Sequence, residues 1–270
     1  MSEREPIHEP ALPVLDEEAA WVHEAAERFE HATAPELLAW ALDTFHPRMA
    51  ISAAGGVDGM AIVDMAWRVD PNVRVFSLDT GRLPAETYAL FEKVRERYGI
   101  GIEWEFPDHG AVGSLVSEHG PNLMYRSVDL RVSCCEVRKV EPLKRKLATL
   151  DAWIAGLRRD QWRTRTRIAK VELDRDHGDI VKVNPLADWA ADDVWDYVRK
   201  NEVPHHELFD RGYSSIGCAP CTRAVAPGES ERAGRWWWEQ DTDKECGIHC
   251  SVQLLGTPPD RERMKQDVPR

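Results

Sequence analysis

This chain has no long apolar run. Nothing in it approaches the roughly 18 apolar residues that a membrane-spanning helix needs, so the sequence predicts no membrane partner. It also lacks an excess of positive charge. Lys and Arg number 35 against 47 Asp and Glu, for a formal net charge of −12, which argues against a nucleic-acid binder. Near the start, Glu3, Glu5 and Glu9 stand where a secretory leader would carry positive charge and an apolar core, so a cytoplasmic protein is expected. Repeats and low-complexity tracts are absent. Cysteine is scarce, with six in 270 residues. A chain of this length can bury a core without staples. In a reducing compartment such thiols point to metal binding or catalysis rather than to structural disulfides.

What is present is unevenly distributed. Residues 1–45 hold eleven acidic and two basic residues, whereas residues 131–170 hold twelve basic and four acidic ones. The acidic segment reads as two helices, one capped by Asp16 and one starting at Thr33 with Pro35 behind it. Strand and helix patterns then alternate. Strands are expected over 48–53, 73–78, 100–106 and 153–157, with a hairpin of 171–174 and 180–183. Helices are expected over 57–69, 84–98, 111–118, 135–147 and 192–200. This order implies an α/β fold, a mainly parallel twisted sheet with helices on both faces. Such sheets bind ligands at the carboxyl ends of their strands. From about Val203 the periodicity fades. The expected organisation is residues 1–46 as acidic helices, 47–224 as a nucleotide- and cluster-binding domain, and 225–270 as a mobile C-terminal tail.

Several motifs carry chemistry. Ser52-Ala53-Ala54-Gly55-Gly56-Val57-Asp58-Gly59 forms a Gly-rich strand-to-helix turn, which can bring backbone N–H groups to a phosphate or simply make a tight connection. It is no Walker loop, because no Lys-Ser/Thr follows at the required spacing. Leu78-Asp79-Thr80-Gly81 ends the second strand, either as a turn and cap or as backbone that reads an adenine edge. Gly156-Leu157-Arg158-Arg159-Asp160-Gln161, with Arg163 and Arg165 beyond, places arginine forks at a strand end, where they suit phosphate and sulfate.

The cysteines divide four, one and one. Cys134-Cys135 and the C-x-x-C pair Cys218/Cys221 read as ligands of one metal centre, iron–sulfur or zinc, with unliganded thiols as the bland alternative. A tandem pair opening a helix fits a zinc knuckle poorly and a cuboidal 4Fe–4S cluster better. Lys139 lies one helical turn beyond Cys135, where a cation would offset thiolate charge. Cys246 stands apart, followed by Gly247 and His249, with Arg232 and Arg235 upstream. Nearby cations lower a thiol pKa, so Cys246 is the candidate nucleophile.

Six motifs in order, LDTG at 78–81, Cys134-Cys135 with Lys139, GLRRDQ at 156–161, CAPCTR at 218–223, GRWWWE at 234–239 and ECGIH at 245–249, resemble the assimilatory adenylyl-sulfate (APS) reductases of bacteria, within the larger phosphoadenylyl-sulfate (PAPS) reductase family. The likeness covers roughly residues 48–250. It implies an adenine nucleotide α-hydrolase-like fold related to ATP pyrophosphatases. Those relatives carry an SGGxDS loop, and Gly59 stands here where they have Ser. It also implies one 4Fe–4S cluster per chain, held by Cys134, Cys135, Cys218 and Cys221, and attack by Cys246 on the sulfur of adenylyl sulfate. AMP leaves, and thioredoxin then releases sulfite. On the same match, Lys139, Arg165, Arg232, Arg235 and His249 hold the phosphosulfate, and Ser52, Gly56 and Leu78 hold AMP. Four cysteines favour APS over PAPS.

Three rivals are a PAPS reductase with a retained cluster, a tRNA-thiolating enzyme and a non-catalytic metal- or redox-sensing protein. Cys250 departs from the motif, and self-association into a homo-oligomer is left open.

Overall fold

The computed structural model describes residues 17–239, 245, 247 and 248. Helices α1 (Glu17–Phe29) and α2 (Ala34–Phe45) come first. Thr33 starts α2 through a capping box. Its hydroxyl accepts the Glu36 N–H, and the Glu36 carboxylate accepts the Thr33 N–H at 2.8 Å. Asp16, expected to cap α1, lies outside the described residues.

Strands and helices then alternate: β1 (Met49–Ser52), α3 (Val57–Val69), β2 (Val75–Leu78), α4 (Ala85–Tyr98), β3 (Ile102–Glu105) and α5 (His109–His119). After these come α6 (Val128–Cys135), α7 (Glu141–Leu147), β4 (Ala152–Ala155), β5 (Val171–Asp174), β6 (Ile180–Val183) and α8 (Ala191–Lys200). The strands form one six-stranded sheet in the order β3-β2-β1-β4-β6-β5. Every neighbouring pair is parallel except β5 with β6, the expected hairpin.

Side chains alternate across a strand, and this divides the core in two. Met49, Ile51, Val75 and Ile154 face α1–α4 and α8, in one cluster with Phe29, Leu38, Ile62, Leu90 and Val194. Ala50, Phe76, Trp153 and Ala155 point the other way, beneath Leu143 and Leu147 of α7. Helices therefore cover both faces, as the alternation implies. Among the described residues no helix is long and apolar enough to cross a membrane.

This topology positions the site. β1 has β2 on one side and β4 on the other, so the connections leaving β1 and β4 diverge and open a crevice at their carboxyl ends.

The structure corrects one local expectation. Cys134-Cys135 do not open a helix; they close α6, which the sequence pattern had not revealed. Ser127 caps α6 by accepting the Leu130 N–H at 3.2 Å. The chain then widens into a π-helical turn over Glu136–Val140, where the Glu141 N–H reaches back to the Glu136 carbonyl, before α7 begins. Pro142 gives a physical reason. It has no N–H to donate, and its ring clashes with the carbonyl four residues earlier, so a regular α ladder cannot run straight through.

Candidate active site

The Gly-rich turn enters α3 through Gly56, which no side chain caps, so the helix N-terminus faces the crevice ready for an anion. Gly55 takes φ +80°, and a Cβ there would stand 3.2 Å from the buried His206 ring. His206 is fixed in turn. Its Nδ1 accepts the Leu208 N–H at 3.2 Å, which leaves Nε2 to donate to the Thr87 hydroxyl at 3.0 Å. Gly156, just beyond β4, packs directly on α3. A Cβ there would lie 3.1 Å from both the Asp58 Cβ and the Gly59 nitrogen.

The arginines that follow separate into two kinds. Arg158 is buried and tied to carboxylates, donating to Asp58 and Asp160 at 3.0 Å and to Glu231 at 3.3 Å. Burial pushes the Asp58 carboxyl up to about 6, against the pull of Arg158. Arg159 turns away to Glu30 and the Ile168 carbonyl. Arg165 instead faces the crevice. There it joins Lys139, Arg232 and Arg235 in lining one cleft with Gly56 and Trp236.

Each of these cations is positioned by the fold. Arg165 donates to Gln161 at 2.5 Å, and its Nε is buried without an acceptor among the described residues. The Arg235 guanidinium donates to the Ile216 carbonyl at 2.6 Å, and its Nε is likewise buried and unmet among those residues. Gly217 makes room for it, since a Cβ there would lie 2.3 Å from the guanidinium. One carboxylate reaches into this group from beyond the tryptophan run. Glu245 takes Arg232 at 3.1 Å, Thr164 at 3.2 Å and Arg165 at 3.4 Å. Its backbone carbonyl accepts from Arg131 of α6 at 2.7 Å.

The four clustered thiols meet beside the cleft. Cys134, Cys135, Cys218 and Cys221 are all free and buried. Cys135, Cys218 and Cys221 pack with Met124 and Trp236, and the Cys134 thiol feels the charge of Cys218. Burial pushes Cys218 up, but Lys139, the Thr80 hydroxyl 3.3 Å away, Arg235 and Arg138 outweigh it and hold this thiol below its ordinary range. Burial and the Cys218 charge push Cys221 up to about 11, and burial raises Cys134. Four buried thiols are the donor type that a thiolate-bound metal centre takes, and such a centre would ionise those that burial keeps protonated. Among the described residues no three His, Cys, Asp or Glu side chains form a group that could hold a metal ion as they stand.

The phosphoadenosine phosphosulfate reductase domain matches residues 48–224, which include the Gly-rich turn, Lys139, Arg165 and all four thiols. The chain belongs to that family. Its relatives include an adenosine 5'-phosphosulfate reductase of Burkholderia cepacia, 48% identical over 77% of this chain and 82% of that protein. An adenosine 5'-phosphosulfate reductase of Pseudomonas aeruginosa is also 48% identical, over 79% of this chain and 81% of its own. Among solved structures, the phosphoadenylyl-sulfate reductase of Candida auris, in a phosphate complex, superposes with a TM-score of 0.65 at 28% identity, covering 78% of this chain and 98% of that one. A Candida glabrata FMN adenylyltransferase, with a TM-score of 0.51 at 13% identity over 88% of this chain and 89% of that one, shares the fold alone.

Besides the four thiols, the structure of this reductase-family chain places the expected site residues in three groups. Gly56, Lys139, Arg165, Arg232 and Arg235 line one cleft. Ser52 and Leu78 end β1 and β2 and are not among its lining residues. Cys246, His249 and Cys250 lie outside the described residues, as does most of the expected C-terminal tail, although Glu245 and Ile248 on either side of Cys246 both line the cleft.

The LDTG loop does more than either expected reading. Asp79 makes a turn by accepting the Gly81 N–H at 2.8 Å, while Thr80 contacts the Cys218 thiol and accepts Arg138 on its carbonyl at 2.7 Å. Sequence reasoning missed Asp58, Arg131, Gly217, Trp236 and Glu245 as site residues. Trp236 is buried at φ +43°, rare for a bulky side chain, with Arg131 and Arg235 over its ring at 4.7 and 4.9 Å. Nothing local in the sequence signals these pairings.

Proposed function

We propose that this protein reduces adenylyl sulfate (adenosine 5'-phosphosulfate) to sulfite and AMP in assimilatory sulfate reduction, with Cys246 as nucleophile and thioredoxin as reductant. The observation that carries the reading is the convergence of Lys139, Arg165, Arg232 and Arg235 on one cleft that the residues flanking Cys246 also line. A phosphosulfate presents several oxygens to such donors, and desolvated guanidinium–oxyanion contacts are among the stronger polar interactions. The curated relatives at 48% identity carry the adenosine 5'-phosphosulfate reductase name, which favours the substrate without a 3'-phosphate.

The chemistry is thiol chemistry. The Cys246 thiolate attacks the sulfur of adenylyl sulfate, an S–S bond forms, and the bond from sulfur to the bridging phosphate oxygen breaks. AMP departs with that electron pair, leaving an S-sulfonated Cys246. A thioredoxin thiolate then attacks the Cys246 Sγ and sulfite leaves. Thioredoxin's second thiol resolves the mixed disulfide, which returns Cys246 reduced and thioredoxin oxidised. The cations hold the substrate's anionic oxygens and offset charge on the departing phosphate. Gly56 and the α3 N-terminus offer backbone donors to the nucleotide.

Cys134, Cys135, Cys218 and Cys221 would hold one 4Fe–4S cluster. When bound it supplies fixed charge and a structural link between α6 and the Cys218–Cys221 turn, not electrons for the thiol steps. Lys139, which lines the cleft and acts on the Cys218 and Cys221 thiols, stands between the two. A cytoplasmic setting suits these free thiols.

The test is anaerobic purification, an iron and sulfide assay, and sulfite release from adenylyl sulfate and from its 3'-phosphorylated analogue, by wild type and Cys246→Ser. Turnover surviving in Cys246→Ser would sink the mechanism, and a preference for the 3'-phosphorylated substrate would sink the substrate assignment.

A further inference from the structure

The anion site already has an anion in it. The Glu245 carboxylate is 5% exposed and lies against Arg232, Arg165 and Thr164 in the same cleft as Lys139 and Arg235. Asp58 and Glu231 also line the cleft, but both are engaged by Arg158. Glu245 is thus the carboxylate that meets the substrate-facing cations among the described residues.

Its hold is loose on the side-chain end and firm on the backbone end. Both contacts from Arg165 measure 3.4 Å, long for a charge-assisted pair that closes to about 2.7–2.9 Å when well formed. The Nε atoms of Arg165 and Arg235, each on a side chain at least nine-tenths buried, meet no acceptor among the described residues. Buried donors left over in this way mark a site built for more oxygens than one carboxylate supplies. By contrast, Arg131 grips the Glu245 carbonyl at 2.7 Å in buried surroundings and the Glu239 carboxylate at 2.9 and 3.1 Å in part-buried ones.

From this asymmetry we infer that Glu245 is an internal occupant of the phosphosulfate subsite, which a doubly charged oxyanion substrate displaces by side-chain rotation while Arg131 keeps the backbone in place. The role follows from the geometry. Rotation of one side chain frees the cations, and the Glu245 backbone stays held by Arg131. The empty enzyme keeps part of its buried positive charge balanced, and the substrate competes with a tethered carboxylate. Its apparent dissociation constant is then the intrinsic one divided by the fraction of molecules whose subsite is free.

This inference rests on the adenylyl-sulfate reading of the site, and the experiment separates the two. Binding is measured by calorimetry at low ionic strength on the full chain carrying Cys246→Ser, alone and combined with Glu245→Gln or Glu245→Ala. The ligands are adenylyl sulfate, inorganic sulfate and adenosine. Glu245→Gln keeps the shape and removes the charge, whereas Glu245→Ala removes the group, so agreement between them excludes a folding artefact.

The expected result is that both variants bind adenylyl sulfate and sulfate about three- to tenfold more tightly, with adenosine unchanged. Unchanged or weaker sulfate binding in both overturns the inference, and so does equal tightening of adenosine, which would report general opening of the cleft. Failure of the Cys246→Ser parent and of both Glu245 variants to bind adenylyl sulfate, while sulfate still tightens, overturns the functional reading and leaves the Glu245 contact standing.

Discussion

Arg131, one turn before the Cys134-Cys135 pair on α6, donates to the backbone carbonyl of Glu245, the residue before Cys246, across 2.7 Å. The same guanidinium holds Glu239 through both carboxylate oxygens. One side chain therefore links the cysteine-bearing helix to two points of the chain that flank residues 240–244.

Replacing Arg131 tests that link. Arg131→Met keeps the apolar stem and leaves the Glu239 carboxylate buried without this partner, a loss typically of about 3–5 kcal/mol for a broken buried pair. The expected outcome is a melting temperature lowered by several degrees and at least a tenfold fall in kcat for sulfite release. Iron content per chain stays near wild type, because no thiol is removed. Thermal unfolding, steady-state turnover and an iron assay check the three parts.

Gly217 leads to a prediction about substrate affinity. A Cβ at this position would sit 2.3 Å from the Arg235 guanidinium, and the guanidinium, at the end of a long side chain, is the part that can yield. Gly217→Ala should push Arg235 out of the cleft and cost one charge-assisted contact, about 1.5–3 kcal/mol. The KM for adenylyl sulfate should rise by about ten- to a hundredfold, while the fold persists. An unchanged KM would show that Arg235 does not reach the substrate.

The Asp58–Arg158 pair sets a pH dependence of stability. Burial raises the Asp58 pKa from 3.8 to about 6, so between those values the folded protein binds more protons than the unfolded chain. Stability owed to this group therefore falls as pH rises through that window, by about 3 kcal/mol in all. Subtracting the Asp58→Asn unfolding free energy from that of wild type cancels most other groups. The difference should decline from pH 4 to pH 7 in denaturant titrations; a flat or rising difference refutes the assignment.

The thiol cluster is tested by removing one ligand. If the proposed cluster is present, Cys218→Ser should lower iron and acid-labile sulfide per chain and reduce the melting temperature, since the turn carrying Cys218 and Cys221 would lose that proposed link to α6. Thr80→Val removes only the hydroxyl beside Cys218. It should keep iron content near wild type and make loss of iron to a chelator faster, measured as a rate.

Several of these features were legible in the residue order. Strand and helix periods are local, and so the alternation from Met49 to Lys200 could be read along the chain, including the hairpin that puts β5 antiparallel to β6. The helix that ends at Cys135 could not be read, because Val128–Cys135 has no clear apolar face and the π turn after it depends on how Pro142 is accommodated. The arginines show the same limit. Arg158, Arg159 and Arg165 look alike in sequence, yet only Arg165 turns to the cleft. Arg158 is claimed by Asp58, 100 residues away, and Arg159 by Glu30, 129 residues away.

The sequence by itself determined the chemical inventory: four thiols in two pairs, a separate Cys246, a Gly-rich turn after the first strand and a store of arginines. These are properties of residue type and short spacing. Tertiary structure alone decided which cations remain available to an anion, that the LDTG loop touches a thiol through Thr80, and that Glu245 lies in the arginine cleft. Those outcomes depend on burial and on partners distant in sequence. A charged side chain leaves water only when folding has brought it a partner, and no local pattern records which partner that will be.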